Sequence, residues 1–164
     1  MKATQSMQRP RAIMVIEDDL DDQEFIKEAF STLNYPNPVI FFSNGSDALN
    51  YLHEANDPPV LIVSDINMPK MNGIEVRKTI NKSPDLRKLD IPFVLLTTLS
   101  KKDAVANAHP VGDHELFTKP HSMEDLRSTI RTIVEYWVQR YTPAPYNRQP
   151  HLPNYNGILC TFQH

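Results

Sequence analysis

Carboxylate, hydroxyl and ammonium side chains stand at the ends of four short apolar runs of this chain. Glu17 and Asp18 follow "AIMVI", Asp65 ends "LIVSD", Thr97 ends "FVLLT", and Lys119 follows "LFT". Clustered carboxylates repel one another unless a cation intervenes, and Mg²⁺ commonly takes one or two of them together with substrate phosphate. A lysine can pair with a phosphoryl oxygen, and an aspartate can itself be a nucleophile. If these side chains meet, they predict phosphoryl transfer onto Asp65.

The elements that must position these side chains follow an alternating pattern. Short apolar runs at 12–16, 39–42, 60–64, 93–97 and 115–118 contain β-branched and aromatic residues and are bounded by Pro, Asn, Asp or Gly, as strands are. Three of them are nearly continuous hydrophobics, which is typical of strands buried on both faces of a parallel sheet.

Helical spacing of apolar residues appears between the runs. It covers 25–33, 48–52 after a candidate cap at Ser46, 74–80, a weaker alanine-based stretch at 100–108, and 122–141. The last is the strongest, because Ser122 and Asp125 form an S-x-x-D start signal. Its apolar stripe comprises Leu126, Ile130, Ile133, Val134, Trp137 and Tyr141.

Five βα units in sequence predict an α/β domain with a parallel sheet, right-handed crossovers and helices on both faces. In such sheets ligands bind beyond the carboxyl ends of the strands, near the point where the strand order reverses. The candidate side chains are therefore expected to converge at one edge.

Four stretches of the chain resemble the signatures of the response-regulator receiver domain of two-component signalling: "AIMVIEDD", "LIVSDINMPKMNG", "FVLLTT" and "LFTKP". The resemblance covers about 10–141, with an N-terminal tail at 1–9 and a Pro-rich extension at 142–164. It implies the flavodoxin-like fold with strand order 2-1-3-4-5, an order inherited from the family. "VIEDDLDD" and the insert "SPDLRKLDIP" look more particularly like single-domain regulators that partner cyanobacterial phytochromes and related sensor kinases.

The resemblance also implies a metal site and a phosphoacceptor. Asp65 would accept the phosphoryl group. Glu17 and Asp18 would hold Mg²⁺ together with Asp65, and the backbone carbonyl of Asn67 would be a further ligand.

Further roles follow from the same resemblance. Thr97 would bind a phosphoryl oxygen, Lys119 would pair with the phosphoryl group, and the bond between Lys119 and Pro120 would be cis. One position departs from the family: Leu116 stands three residues before the lysine, where the family has its switch aromatic, and Phe117 is its neighbour.

The function implied is a stand-alone phosphoacceptor rather than a turnover enzyme. A sensor histidine kinase, for which a phytochrome-like kinase is one candidate, or a phosphotransfer protein would supply the phosphoryl group. A downstream protein that the sequence does not identify would bind the changed surface. A homodimer through the last helix or its flank is a further expectation. Two alternatives stay open: a phosphatase that uses an aspartyl nucleophile, and a degenerate receiver that only binds partners.

Other classes of function are disfavoured by composition. The net charge is −3 without a basic stripe, which argues against direct nucleic-acid binding. A single cysteine, Cys160, excludes an intramolecular disulfide and a thiolate metal cluster. The chain shows neither a signal-peptide core nor a membrane-length apolar segment, so a cytoplasmic location is the default expectation.

Two charged or polar segments have simple interpretations. The acids Asp19, Asp21, Asp22 and Glu24 are expected to form an exposed first helical turn, where the helix dipole favours them. The extension at 142–164 is expected to be a flexible or polyproline-like tail, with folding back onto the domain or a partner as the alternative.

Overall fold

The structure, a computed structural model, describes residues 9–98 and 115–141. Five parallel strands form one sheet in the order β2-β1-β3-β4-β5, as expected. The strands are β1 (Ile13–Ile16), β2 (Val39–Phe42), β3 (Leu61–Asp65), β4 (Phe93–Thr97) and β5 (Leu116–Thr118). Every residue of β1, β3 and β4 is buried, which agrees with their continuous apolar sequence.

Five helices are described outside the strands. They are α1 (Leu20–Leu33), α2 (Gly45–Glu54), α3 (Gly73–Lys82), α4 (Pro84–Arg87) and α5 (Met123–Tyr141). The short α4 was not expected from the pattern; Ser83 caps it, a proline opens it, and Leu86 is its buried anchor. The expected helix at 100–108 and the tails at 1–8 and 142–164 lie outside the described residues.

The helix starts follow local capping chemistry. Asn72 and Glu75 form a capping box at α3. At α5 the Asp125 N–H donates to Ser122 Oγ over 3.1 Å, so the S-x-x-D signal is confirmed. The candidate cap of α2 at Ser46 is wrong. The cap is Asn44, which is in extended conformation and accepts from the N–H of Asp47, and the helix begins at Gly45.

The sheet separates two apolar cores. Residues of β1 alternate between them, since successive side chains of a strand point to opposite faces. One core contains Ile13 and Val15 and is covered by α1 and α5; the other contains Met14 and Ile16 and is covered by α2, α3 and α4. The stripe of α5 supplies the first core with Leu126, Ile130, Ile133 and Val134, and Trp137 packs against it half-buried.

Within 9–98 and 115–141, every helix falls short of the length or the apolar character that a membrane span needs.

Candidate functional site

The carboxyl ends of β1, β3, β4 and β5 bring the expected side chains to one edge of the sheet. Strand pairing sets Asp65 beside Leu96 and Thr97 beside Thr118, so the residues that end these strands are neighbours. Carboxylate oxygens of Glu17, Asp18 and Asp65 all lie within 4.8 Å of one another. Hard oxygen donors at that spacing suit a divalent cation such as Mg²⁺.

Glu17 points inward because its backbone continues the strand pairing beyond β1. Its N–H donates to the carbonyl of Phe42 over 2.9 Å, and its own carbonyl accepts from Gln23 Nε2 over 2.6 Å. The N–H of Asp19 donates to Glu17 Oε1 over 3.1 Å. The Glu17 carboxylate is thus buried yet hydrogen-bonded, which is how a buried charge is tolerated.

Lys119 reaches the carboxylates from the carboxyl end of β5, the outer strand of the sheet on the side of β4. Its N–H donates to the Thr97 carbonyl over 2.7 Å, which extends the β4–β5 pairing by one residue. Its ammonium group donates to Glu17 Oε2 and to Asp22 Oδ2, both over 2.6 Å. The distance from Nζ to Asp65 Oδ1 is 3.9 Å, so that contact is an ion pair rather than a hydrogen bond.

Burial and charge shift the acid–base behaviour of the three innermost groups. Burial raises the pKa of Glu17 above 4.5 and that of Asp65 above 3.8, although Lys119 opposes both rises. Burial alone would lower the pKa of Lys119, but its hydrogen bonds to Asp22 and Glu17 outweigh it, and the pKa lies above 10.5. Two carboxylates with raised pKa values beside each other leave a site that favours added positive charge.

Asp65 Oδ1 is the atom that is available for chemistry. It is buried, and no hydrogen-bond partner reaches it within the described structure. Buried acceptors are rarely left unpaired. The donor set of Glu17, Asp18 and Asp65 therefore fits a cation.

The loop after β3 lies close against the phosphoacceptor candidate. A Cβ atom built at Gly73 would stand 2.3 Å from the carbonyl oxygen of Asp65, so this position requires glycine. Asn67 Nδ2 donates to Thr98 Oγ1 over 3.2 Å, which links this loop to the end of β4. The role expected for the Asn67 carbonyl as a metal ligand stays a prediction.

The remaining expectations have mixed outcomes. Thr97 is fully buried at the end of β4, while Leu116 packs in the core under α2 and α3 and Phe117 against the core under α1 and α5. The expectation of a cis Lys119–Pro120 bond is wrong, since no cis peptide bond occurs in 9–98 or 115–141. The trans form is the intrinsic preference of X–Pro bonds, by about 0.5–1 kcal/mol.

The acidic run divides differently from the expectation. Asp19 caps α1, where its Oδ1 accepts from the N–H groups of Asp21 and Asp22. The phosphatase alternative would place its nucleophile and acid at Asp19 and Asp21, which have the D-x-D spacing, and the capping role of Asp19 disfavours that pair. Asp22 lies in the first turn of α1 as expected, with a side chain that is 43% exposed, but its carboxylate also accepts from Lys119, a contact that was not expected. The helical period would have indicated that Asp22 lies on the buried side of α1, since it stands four residues before the buried Ile26.

Comparisons with known proteins agree with this geometry. The family model described as "Response regulator receiver domain" matches residues 13–131. Response regulator Rcp1 of Synechocystis sp. is 30% identical over 138 residues, which cover 81% of this chain and 92% of that protein.

Solved structures give the same result. The phosphorylated cyanobacterial phytochrome response regulator RcpA superposes with a TM-score of 0.69 at 28% identity, covering 81% of this chain and 97% of that one. The Mn²⁺-bound form of Rcp1 superposes with a TM-score of 0.66 at 29% identity, covering 81% and 98%.

Proposed function

The chain belongs to the response regulator receiver domain family, and we propose that it is a stand-alone phosphoacceptor that takes a phosphoryl group onto Asp65. The observation that carries the proposal is the buried Oδ1 of Asp65, which has no hydrogen-bond partner in the described structure, beside two further carboxylates and the Lys119 ammonium. We propose that it acts by this transfer rather than as a turnover enzyme.

Each residue has a separate part in the proposed transfer. An oxygen of Asp65 bonds to phosphorus while the donor's bond to phosphorus breaks and its electron pair leaves with the donor. Mg²⁺, when held by Glu17, Asp18 and Asp65, would neutralise charge on the carboxylates and on the transferring oxygens. Lys119 would pair with one phosphoryl oxygen and Thr97 would hydrogen-bond another.

The proposed donor is a sensor histidine kinase, with a phosphotransfer protein as the alternative. A phytochrome-type kinase is the class we favour, because RcpA is a phytochrome response regulator and was solved phosphorylated. The Mn²⁺-bound form of Rcp1 supports a divalent cation at the carboxylates. The downstream protein partner, the homodimer and the cytoplasmic location expected from the sequence stay predictions.

Acetyl phosphate with Mg²⁺ tests the phosphoacceptor assignment. We expect an adduct that is stable in acid and labile in alkali, because it is an acyl phosphate, and peptide mapping should place it on Asp65. Asp65→Asn should abolish it. Asp85→Asn is the control, since its carboxylate is 86% exposed on α4, which precedes the start of β4 and does not follow the carboxyl end of a strand directly. An adduct that persists in Asp65→Asn would sink the assignment.

Mg²⁺ is expected to stabilise the protein at neutral pH. Because the pKa values of Glu17 and Asp65 are raised, the folded state binds their protons more tightly, and stability without metal falls as pH rises above 3.8–4.5. A cation at tenfold its Kd contributes about 1.4 kcal/mol, or about 4 °C in Tm. Thermal melts in MgCl₂ and in NaCl of equal ionic strength measure the gain.

The gain should shrink as pH falls and these carboxyls protonate. Asp18→Asn should reduce it at neutral pH, because one oxygen donor is removed. An equal Tm rise in NaCl, or a gain that grows on acidification, would contradict cation binding at these carboxylates.

A further inference from the structure

The contact between Asp22 and Lys119 is a feature of the site that phosphoryl transfer itself does not require. Asp22 Oδ2 lies 2.6 Å from Lys119 Nζ, as close as Glu17 Oε2, whereas Asp65 Oδ1 lies 3.9 Å away. An ammonium group is attracted to all three carboxylates but sits against only two. Two carboxylates therefore compete for the ammonium group: Asp22 on α1 and Asp65 at the end of β3.

The two carboxylates that hold the ammonium differ in their access to water. The side chain of Glu17 is 2% exposed, and that of Asp22 is 43% exposed. Releasing Glu17 would leave a buried charge without a partner, whereas Asp22 is rehydrated on release. The contact with Asp22 is therefore the one that costs less to break.

Space for this exchange lies beside the pair. A pocket of about 170 Å³ is lined by Asp22 and Lys119 together with Phe25, Thr98 and Pro120, among others. The pocket leaves open space beside both side chains. The pocket also reaches Thr98, which follows the last residue of β4.

We propose that Asp22 is a positioning residue that retains the Lys119 ammonium beside α1 until a phosphoryl group on Asp65 replaces it. This inference rests on the proposed function, since a phosphoryl group must arrive at Asp65. That group brings more negative charge than one half-exposed carboxylate, so Lys119 moves toward it and Asp22 turns to solvent. Phosphorylation thereby changes the first turn of α1.

Removing Asp22 has opposite consequences for the two ligands of the site. The released ammonium settles on Asp65 Oδ1, where it competes with a cation for the same oxygen. A phosphoryl group, in contrast, then meets an ammonium with one competitor fewer. A loss of folded structure would weaken the binding of both ligands. A lower affinity for the cation together with a higher affinity for the phosphoryl group would therefore distinguish a positioning role from a structural one.

The experiment compares Asp22→Ala with Asp21→Ala in the full chain. Asp21 is exposed in the same turn and carries the same charge, and no contact with Lys119 is seen for it in the described part of the chain. We measure Mg²⁺ affinity by calorimetry, and then the affinity for beryllofluoride, a phosphoryl analogue, at saturating Mg²⁺. In Asp22→Ala we expect Mg²⁺ to bind about fivefold more weakly and beryllofluoride about fivefold more tightly.

Two control variants distinguish a positioning role of Asp22 from a purely structural role. Asp21→Ala should stay within about twofold of the wild type for both ligands, the size of a remote surface charge. Asp22→Glu, which restores the charge, should return both affinities toward the wild type. Equal behaviour of Asp22→Ala and Asp21→Ala, or weakening of both ligands, would overturn the positioning role. Failure of the wild type to bind beryllofluoride would instead remove the proposed function.

Discussion

Lys119→Met is expected to lower the free energy of unfolding by about 3 kcal/mol at neutral pH without divalent cations, because a buried ion pair loses one partner. Glu17, whose side chain is 2% exposed, would keep its charge with only the N–H of Asp19 for support. Methionine fills the space of the lysine stem, so the loss measures charge rather than volume. Urea unfolding followed by circular dichroism gives the value.

A second substitution identifies the source of that loss. Lys119→Met combined with Glu17→Gln should recover at least half of it, because a neutral amide needs no counter-charge. Lys27→Met is the matched control: its pair with Glu24 over 3.1 Å is on the surface, where such pairs contribute about 0.3–0.5 kcal/mol. If Lys119→Met is no worse than Lys27→Met, the buried pair does not stabilise the fold.

The pH dependence of the effect has a definite sign. The pKa of Glu17 is raised, so the folded state holds its proton more tightly and the defect in Lys119→Met should shrink as pH falls toward that raised value. In the wild type, the stabilising contribution of Lys119 is complete below 10.5 and is lost as pH rises through its raised pKa. Unfolding midpoints measured across pH test both statements.

Gly73→Ala is expected to destabilise the fold by about 2–3 kcal/mol and to slow phosphorylation of Asp65 by about 100-fold. The new Cβ would stand 2.3 Å from the Asp65 carbonyl oxygen and 2.9 Å from Ser64 Oγ. A strand backbone in the middle of the sheet cannot move aside alone, so β3 shifts and carries the carboxylate with it. The rate is measured with acetyl phosphate at a temperature where the variant is folded.

Gly45→Ala is the control that separates stability from geometry. Its Cβ would meet a methyl group of Val76 at 2.4 Å, which is core packing rather than the backbone of the site. We expect a stability loss of similar kind, about 1–3 kcal/mol, with the phosphorylation rate of the folded protein unchanged. Equal slowing in both variants would mean that stability, and not the position of Asp65, limits the reaction.

The site was predictable where it depends on topology. Residues that end parallel strands share one edge whatever the details of packing, so Glu17, Asp65, Thr97 and Lys119 could be grouped from the sequence pattern. The contact between Asp22 and Lys119 was not predicted, because it depends on helix rotation: α1 begins at Leu20, and Asp22 stands one turn before the buried Ile26.

Short elements could also not be predicted from the spacing of apolar residues. The single turn α4 contains one buried apolar residue, Leu86, and no period can be recognised from one residue. Leu116 was known to stand where the family has an aromatic residue, but only the structure places it in the core under α2 and α3, opposite to Phe117.

The ion pairs of Lys119 join residues far apart along the chain, 102 positions from Glu17 and 97 from Asp22. Closing a loop of that length has an entropic cost, which is offset only when many other contacts of the sheet form as well. The first and last strands must both be in the sheet before the ammonium meets its carboxylates. A chain emerging from the ribosome therefore presents Asp65 before it has the lysine, and the contacts of Lys119 can form only after β5 has been synthesised and has joined the sheet.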